Sequence, residues 1–280
     1  MFLTVLVLSW FACATCHAAP PSHVQVRLVT ETQTLHPGQP VWLAVVLTME
    51  PGWHTYWRNP GDSGLPTTIR WSVPRGFDVG PIEWPAPKPF VEQEVTSYGY
   101  DGQVLLLSKL TPPAALPEGQ VKLSAKVEWL ECREMCLKGS REVNLDVPVR
   151  NTTPNLDPQW APAFAKTRER VPQPTDQWDF HVTRRAKKLT LAMQFADELG
   201  PELASVQFFP MEAGLIEPNA PQKLSQSAEG YTLEMIGSFV SSLTPPVRLR
   251  GVLIVQETGE PDAMPTPQVV SLDVPIEGTR

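Results

Sequence analysis

Proline decides the fold class of this chain before any other feature does. Thirty-one prolines and seventeen glycines are spread through 280 residues, and proline in a helix interior removes a backbone donor and clashes with the preceding turn. Long helices are therefore excluded through most of the sequence. Between the breaks lie short runs rich in β-branched and aromatic residues: VQVRLVTE, VWLAVVLTM, TTIRWSV, GQVLLLSKL, VKLSAKVEWL and REVNLDVPV. In VKLSAKVEWL, Val121, Leu123, Ala125, Val127 and Trp129 alternate with Lys122, Ser124, Lys126 and Glu128, the period-two pattern of a strand with one buried face. Short strands separated by turn residues predict an all-β chain built as an antiparallel β-sandwich.

Residues 151–177, NTTPNLDPQWAPAFAKTRERVPQPTDQ, interrupt this pattern. Asp157 and Pro158 suit the N-cap and first position of a short helix, with Trp160, Phe164 and Ala165 on one face and an end before Pro172. A second series follows: FHVTRRA, KLTLAMQF, LASVQFFP, GYTLEMIGSF, VRLRGVLIVQE and QVVSLDVPI. VGPIEWPAPK and LASVQFFPME hold comparable places in the two series. The expected organisation is two related sandwiches, 20–150 and 178–280, joined by a linker at 151–177 with a short helix, and the chain is long enough for two cores.

Residues 1–19, MFLTVLVLSWFACATCHAA, carry an apolar run from Phe2 to Ala14 and end in small residues before Pro20. This reads as a secretory signal peptide. Its removal takes Cys13 and Cys16 and leaves Cys132 and Cys136 in a compartment where disulfides persist. No 18-residue apolar run follows, so no spanning helix is expected after the leader. A net charge of −7 favours neither nucleic acid nor an anionic membrane surface.

Cys132 and Cys136 stand in WLECREMCLKG. Four residues on a straight strand span about 13 Å, whereas a disulfide needs Cα atoms roughly 4.4–6.8 Å apart. A bond between them requires a turn through Arg133, Glu134 and Met135, with REVNLDVPV returning as the hairpin partner. So short a loop constrains the unfolded chain little, which favours redox exchange over a structural staple. Metal binding is the other functional class: Cys132, Met135 and Cys136 are soft donors suited to Cu(I), and His54 adds an imidazole. No further Cys or His cluster completes a zinc site. Acyl transfer through Cys, His54 and Asn59 has no use for a second thiol. Phosphate-loop and dinucleotide motifs are absent, and no cofactor is expected. Arg133 lowers the thiol pKa while Glu131 and Glu134 oppose it, so no strongly acidified cysteine is expected.

Four segments in order, PGWHTYWRNPGDSGLPTTIRW (51–71), IEWPAPKPF (82–90), YGYDGQVLLL (98–107) and VEWLECREMCLKG (127–139), resemble the amino-terminal periplasmic module of the DsbD/ScsB thiol:disulfide interchange family. The likeness is nearer to the ScsB branch, the suppressors of copper sensitivity, and VQFFPMEAGLIEPNAPQ (206–222) is similar to that branch's second periplasmic subdomain. The resemblance implies immunoglobulin-like sandwiches and a Cys132/Cys136 dithiol/disulfide pair. Its electrons come from a membrane-embedded thiol reductase domain, separate or missing from this chain, and pass to periplasmic thioredoxin-fold proteins. A monomer without nucleic-acid partners is expected. The C-x3-C spacing departs from the longer spacer of DsbD. By position, Trp53, His54 and Tyr56 match the family's tyrosine-bearing segment, and the loop from Lys88 to Tyr98 matches its cap, with Phe90 as the capping aromatic and Tyr98 as a lining residue. By the same analogy Cys136 forms the mixed disulfide. Trp53, Trp57 and Trp84 are expected in packing. The second sandwich, with no cysteine and His181 as its one histidine, is expected to dock or space.

Overall fold

The computed structural model describes residues 22–195, 200–259 and 265–278. The leader expected at 1–19, with Cys13 and Cys16, lies outside the described residues. Strands dominate, as the proline pattern requires. The amino-terminal half contains β1 (Val24–Thr30), β2 (Val41–Met49), β3 (His54–Gly61), β4 (Thr68–Ser72), β5 (Asp78–Val79), β6 (Lys88–Glu92), β7 (Val95–Asp101), β8 (Gln103–Thr111), β9 (Gly119–Cys132) and β10 (Cys136–Val149). One sheet has the order β1-β2-β8-β5; the other runs β10-β9-β3-β7-β6, with β4 pairing to β9. Between them lies a core to which Leu43, Val45, Leu47 and Leu106 contribute from one side and Trp57, Leu123, Ala125 and Val127 from the other. Every second residue of β9 thus faces inward, as its alternation predicts.

β2 reads VWLAVVLTM because both of its faces are covered. Val29, Ala44, Val46, Leu105 and Leu107 point away from the sandwich core and are packed under Phe164 and Val171. Phe164 belongs to α1 (Ala161–Arg168), so residues 151–177 lie against the sheet as a cover, tied by the Arg168–Glu31 ion pair at 2.7 Å. The helix begins later than the sequence suggests. Asp157 accepts from the Gln159 amide at 2.8 Å through its side chain and from the Trp160 and Ala161 amides through its carbonyl, forming a turn that Pro158 starts. Trp160 is the N-cap, with no side-chain cap bond.

The carboxy-terminal half contains β11 (Trp178–Arg185), β12 (Lys188–Phe195), β13 (Leu203–Pro210), β14 (Lys223–Ser227), β15 (Gly230–Ile236), α2 (Phe239–Leu243), β16 (Arg248–Glu257) and β17 (Gln268–Gly278). Its strands form one seven-membered path, β13-β16-β17-β11-β12-β15-β14. The path folds over, so that Leu191, Met193 and Leu233 of one wing meet Phe208, Leu253 and Leu272 of the other in a shared core. The joint between the wings is a parallel pairing of β11 with β17, from Val182↔Ile276 to Arg184↔Gly278. Alternation identifies strands but says nothing about the direction of their partners, so this parallel pairing of two strands was not legible in the sequence.

The two halves share a core. Phe209 and Val252 belong to the amino-terminal cluster, and the Phe209 ring lies edge-on to Tyr98 at 5.1 Å and to Trp57 at 6.4 Å.

Candidate active site

β9 and β10 pair along their whole length, from Gly119↔Val149 to Cys132↔Cys136. Arg133, Glu134 and Met135 make the turn, with the Arg133 amide donating to the Met135 carbonyl at 3.2 Å. Cys132 and Cys136 are joined as a disulfide with Cα atoms 4.2 Å apart. The two sulfurs belong to differently placed residues. Cys132 is 3% exposed, because β3 lies beside it in the sheet; Cys136 is exposed on the open side of the hairpin.

β3 supplies the floor. His54 pairs directly with Cys132, and the period of two puts Tyr56 on the same face. The Tyr56 hydroxyl donates to Cys132 Sγ at 2.8 Å and lies 3.6 Å from Cys136 Sγ. Two glycines make this approach possible. Gly64 has φ 116°, and a Cβ there would meet the Tyr56 ring at 2.2 Å; at Gly99, opposite Tyr56 in the ladder, a Cβ would meet the Thr55 carbonyl oxygen at 2.0 Å. Any side chain at either place would push Tyr56 off the sulfurs.

The segment expected as a capping loop is a β-hairpin, β6 with β7, closing at Glu92↔Val95. Its turn uses Gln93 at φ 56°. Phe90, half-buried, stacks on the His54 ring with centroids 4.4 Å apart and planes at 15°, and His54 stands edge-on to Tyr56 at 5.2 Å. The rings of Phe90, His54 and Tyr56 thus form a continuous wall that ends at the sulfurs.

Burial, and then the Glu92 carboxylate, raise the Tyr56 pKa, partly offset by the nearby Ser97. The phenol accordingly stays protonated, as a donor to sulfur must. Burial lowers the His54 pKa from 6.5, against opposing pulls from Glu92 and Asp101. The unfolded chain therefore takes up a proton near pH 6.5 that folded His54 resists, so His54 lets stability fall as the pH drops through 6.5 towards the folded value. The expected outcome is a midpoint of thermal unfolding that declines from pH 7.5 to pH 5.5 more steeply in the wild type than in His54→Gln.

The structure brings His54, Tyr56 and Phe90 together with Cys132 and Cys136, but not Tyr98. Tyr98 points to the opposite face of β7, is 2% exposed in the core, and packs on Phe209; burial raises its pKa strongly. The strand period, which sends neighbouring residues to opposite faces, separates it from the site. Trp53 and Trp57 are buried and Trp84 half-buried in the same core, as expected. Met135, offered as a third copper ligand, is 63% exposed at the turn, and the two cysteine sulfurs bond to each other. Among the described residues no group of three or more His, Cys, Asp or Glu is placed to hold a metal.

In the sequence Glu131 is a charge beside Cys132. It is 1% exposed and accepts from Trp129 Nε1 at 2.7 Å, Ser22 Oγ at 3.0 Å and the His23 amide at 3.0 Å. Being on the other face, it braces the end of β9 against the start of the folded chain. The adjacent Trp129, an indole donor two residues away on the same strand face, was the available signal.

A family profile described as the N-terminal part of the thiol:disulfide interchange protein DsbD matches residues 25–148. Among solved structures, the N-terminal periplasmic domain of ScsB from Proteus mirabilis superposes with a TM-score of 0.62, covering 92% of this chain and 96% of that one at 19% identity. A protein of unknown function from Porphyromonas gingivalis W83 gives a TM-score of 0.28 at 12% identity, over 92% of this chain and 99% of that one, and adds nothing to the assignment. A search of the curated proteins finds no match. No helix among the described residues is long and apolar enough to cross a membrane. Residues 25–148, with the disulfide at their hairpin tip, match the DsbD N-terminal family profile, and the chain as a whole has the fold of the ScsB amino-terminal domain.

Proposed function

We propose that the chain is a periplasmic electron relay in which Cys132 and Cys136 cycle between disulfide and dithiol. One observation carries this reading: the disulfide presents one exposed cysteine, Cys136, and keeps the other, Cys132, beneath a hydroxyl donor. A thiolate of a reduced donor attacks Cys136 Sγ. The Cys132–Cys136 bond breaks as the new bond forms, and the electron pair leaves on Cys132 Sγ, where the Tyr56 hydroxyl already donates. A second thiol of the donor then displaces Cys136, so the donor ends as a disulfide and this chain as a dithiol, with two electrons and two protons transferred. In the forward half of the cycle the Cys136 thiolate attacks an acceptor disulfide and Cys132 resolves the adduct. Phe90 and His54 wall one side of the sulfurs and restrict which thiols reach them.

Residues 20–150 form the redox module in this reading, 151–177 the linker and 178–280 a supporting module. The donor is a membrane-embedded thiol reductase domain and the acceptors are periplasmic thioredoxin-fold proteins, with the chain acting as a monomer after removal of its leader. The test is to mix the oxidised protein with reduced thioredoxin and follow both redox states by thiol alkylation, with a parallel Cu(I) titration of the reduced protein. Transfer of reducing equivalents to Cys132/Cys136 is expected. An absence of exchange together with tight Cu(I) binding that Cys132→Ser abolishes would replace the relay by a copper-holding module.

A further inference from the structure

Among the described residues the carboxy-terminal half contributes no sulfur or ionisable group to the site, yet it holds both elements that flank the site. In β3 the ladder with β7 jumps from Tyr56↔Gly99 to Gly61↔Ser97, so Trp57, Arg58, Asn59 and Pro60 bulge immediately after the sulfur-binding Tyr56. Bulges of this kind bend a strand and re-aim its side chains. Into this bulge reaches the end of β13. Asn59, 3% exposed, donates to the Pro210 carbonyl at 2.8 Å, Arg58 reaches Met211 Sδ at 3.3 Å, and Phe209 is buried between Trp57 and Tyr98. Nine residues after Pro210 the same connection touches the cap hairpin. Asn219 Oδ1 accepts from Thr96 Oγ1 at 2.6 Å, and Asn219 Nδ2 donates to the Glu94 carbonyl in the hairpin turn.

We infer that Asn219 is a positioning residue that holds the β6–β7 cap, whose Phe90 continues the ring wall on one side of the Cys132–Cys136 disulfide, making the carboxy-terminal half a clamp on access to the sulfurs from that side. The inference rests on the relay reading above, in which Phe90 is a cap. Within the amino-terminal half β7 is fastened just past the turn, where Thr96 N donates to Asp62 Oδ2 at 2.8 Å, Asp62 N donates to the Thr96 carbonyl at 3.0 Å and Ser97 meets Ser63; the turn itself is left to Asn219. Among the described residues, Asn219 is the side chain from outside the hairpin that bonds its turn. The root of the clamp is buried and therefore firm; Asn219 itself is exposed, so its two bonds open easily in water. An arriving protein that competes for the Glu94 carbonyl and Thr96 hydroxyl releases the cap, whereas a small thiol meets it closed.

The test measures the rate at which glutathione reduces the disulfide of the full chain, and its reduction potential, in the wild type, Asn219→Ala, Phe90→Ala and the double variant. Asn219→Ala is expected to accelerate reduction by about three- to tenfold, the scale of a lost net hydrogen bond expressed as an opening equilibrium. The potential stays unchanged, and the Asn219→Ala change adds little in the Phe90→Ala background because both act through one cap. A wild-type rate in Asn219→Ala alongside a raised rate in Phe90→Ala overturns the clamp while leaving the cap intact. Wild-type rates in both variants remove the cap as well. A shifted potential in Asn219→Ala also overturns the inference, since it would mean that the disulfide itself had been disturbed.

Discussion

Cys132→Ser is expected to trap a covalent adduct with a disulfide-bearing thioredoxin-fold protein through Cys136, while Cys136→Ser forms none at a comparable rate. The argument is geometric. Thiol–disulfide exchange proceeds by attack along the S–S axis and depends on access to sulfur, and the two cysteines differ in access as far as neighbours on one hairpin can. Cys132 sits between β3 and β10, 3% exposed, with Tyr56 over its sulfur; Cys136 begins β10 on the open edge of the sheet. With Cys132 gone, no thiol four residues away resolves the adduct, so it accumulates. With Cys136 gone, the remaining thiol is walled in, and exchange with a folded partner falls to background. Mass spectrometry of the non-reduced product checks both outcomes; a stable adduct on Cys132 in the Cys136→Ser protein would reverse the assigned roles.

Tyr56→Phe is expected to slow reduction of the disulfide by about 10- to 100-fold, because a hydrogen bond to a charged group is worth about 1.5–3 kcal/mol and each 1.4 kcal/mol of barrier is about tenfold in rate. The hydroxyl is 2.8 Å from Cys132 Sγ, the sulfur on which negative charge develops as the bond breaks. Burial and Glu92 keep the Tyr56 pKa above its ordinary 10.0, so the donor persists across the pH range in which thiols titrate. Phenylalanine keeps the ring that packs against Gly64 and His54, which isolates the oxygen as the cause. The measurement is the second-order rate constant with reduced thioredoxin at several pH values. A rate within twofold of the wild type would deny Tyr56 its part in stabilising the departing thiolate.

How much of this was legible in the sequence depends on which force set each feature. The strands of β9 and β10 and the hairpin tip between them follow from the alternation of Val121 to Trp129 and from the short reach of a disulfide, both local rules. The family resemblance added His54, Tyr56 and Phe90, which are far apart in sequence and meet only because β3 inserts between β9 and β7. Tyr98 shows the limit of reading by proximity. It lies beside Gly99, the residue opposite Tyr56, and one step along a strand sends it into the core against Phe209. α1 begins three residues later than the sequence predicts, because Asp157 and Pro158 suit a turn as well as a cap. Asn219, on a loop with no periodicity, gave no local sign that it reaches Glu94 and Thr96, since that contact is made by the packing of two halves.

The most direct test of the relay is the equilibrium reduction potential of the Cys132/Cys136 pair, measured by alkylation trapping in glutathione or dithiothreitol redox buffers. An exchangeable pair is predicted to fall between about −180 and −270 mV, where thiol–disulfide oxidoreductases operate. A value well below about −300 mV, with no exchange against reduced thioredoxin, would make the bond an inert staple and contradict the account.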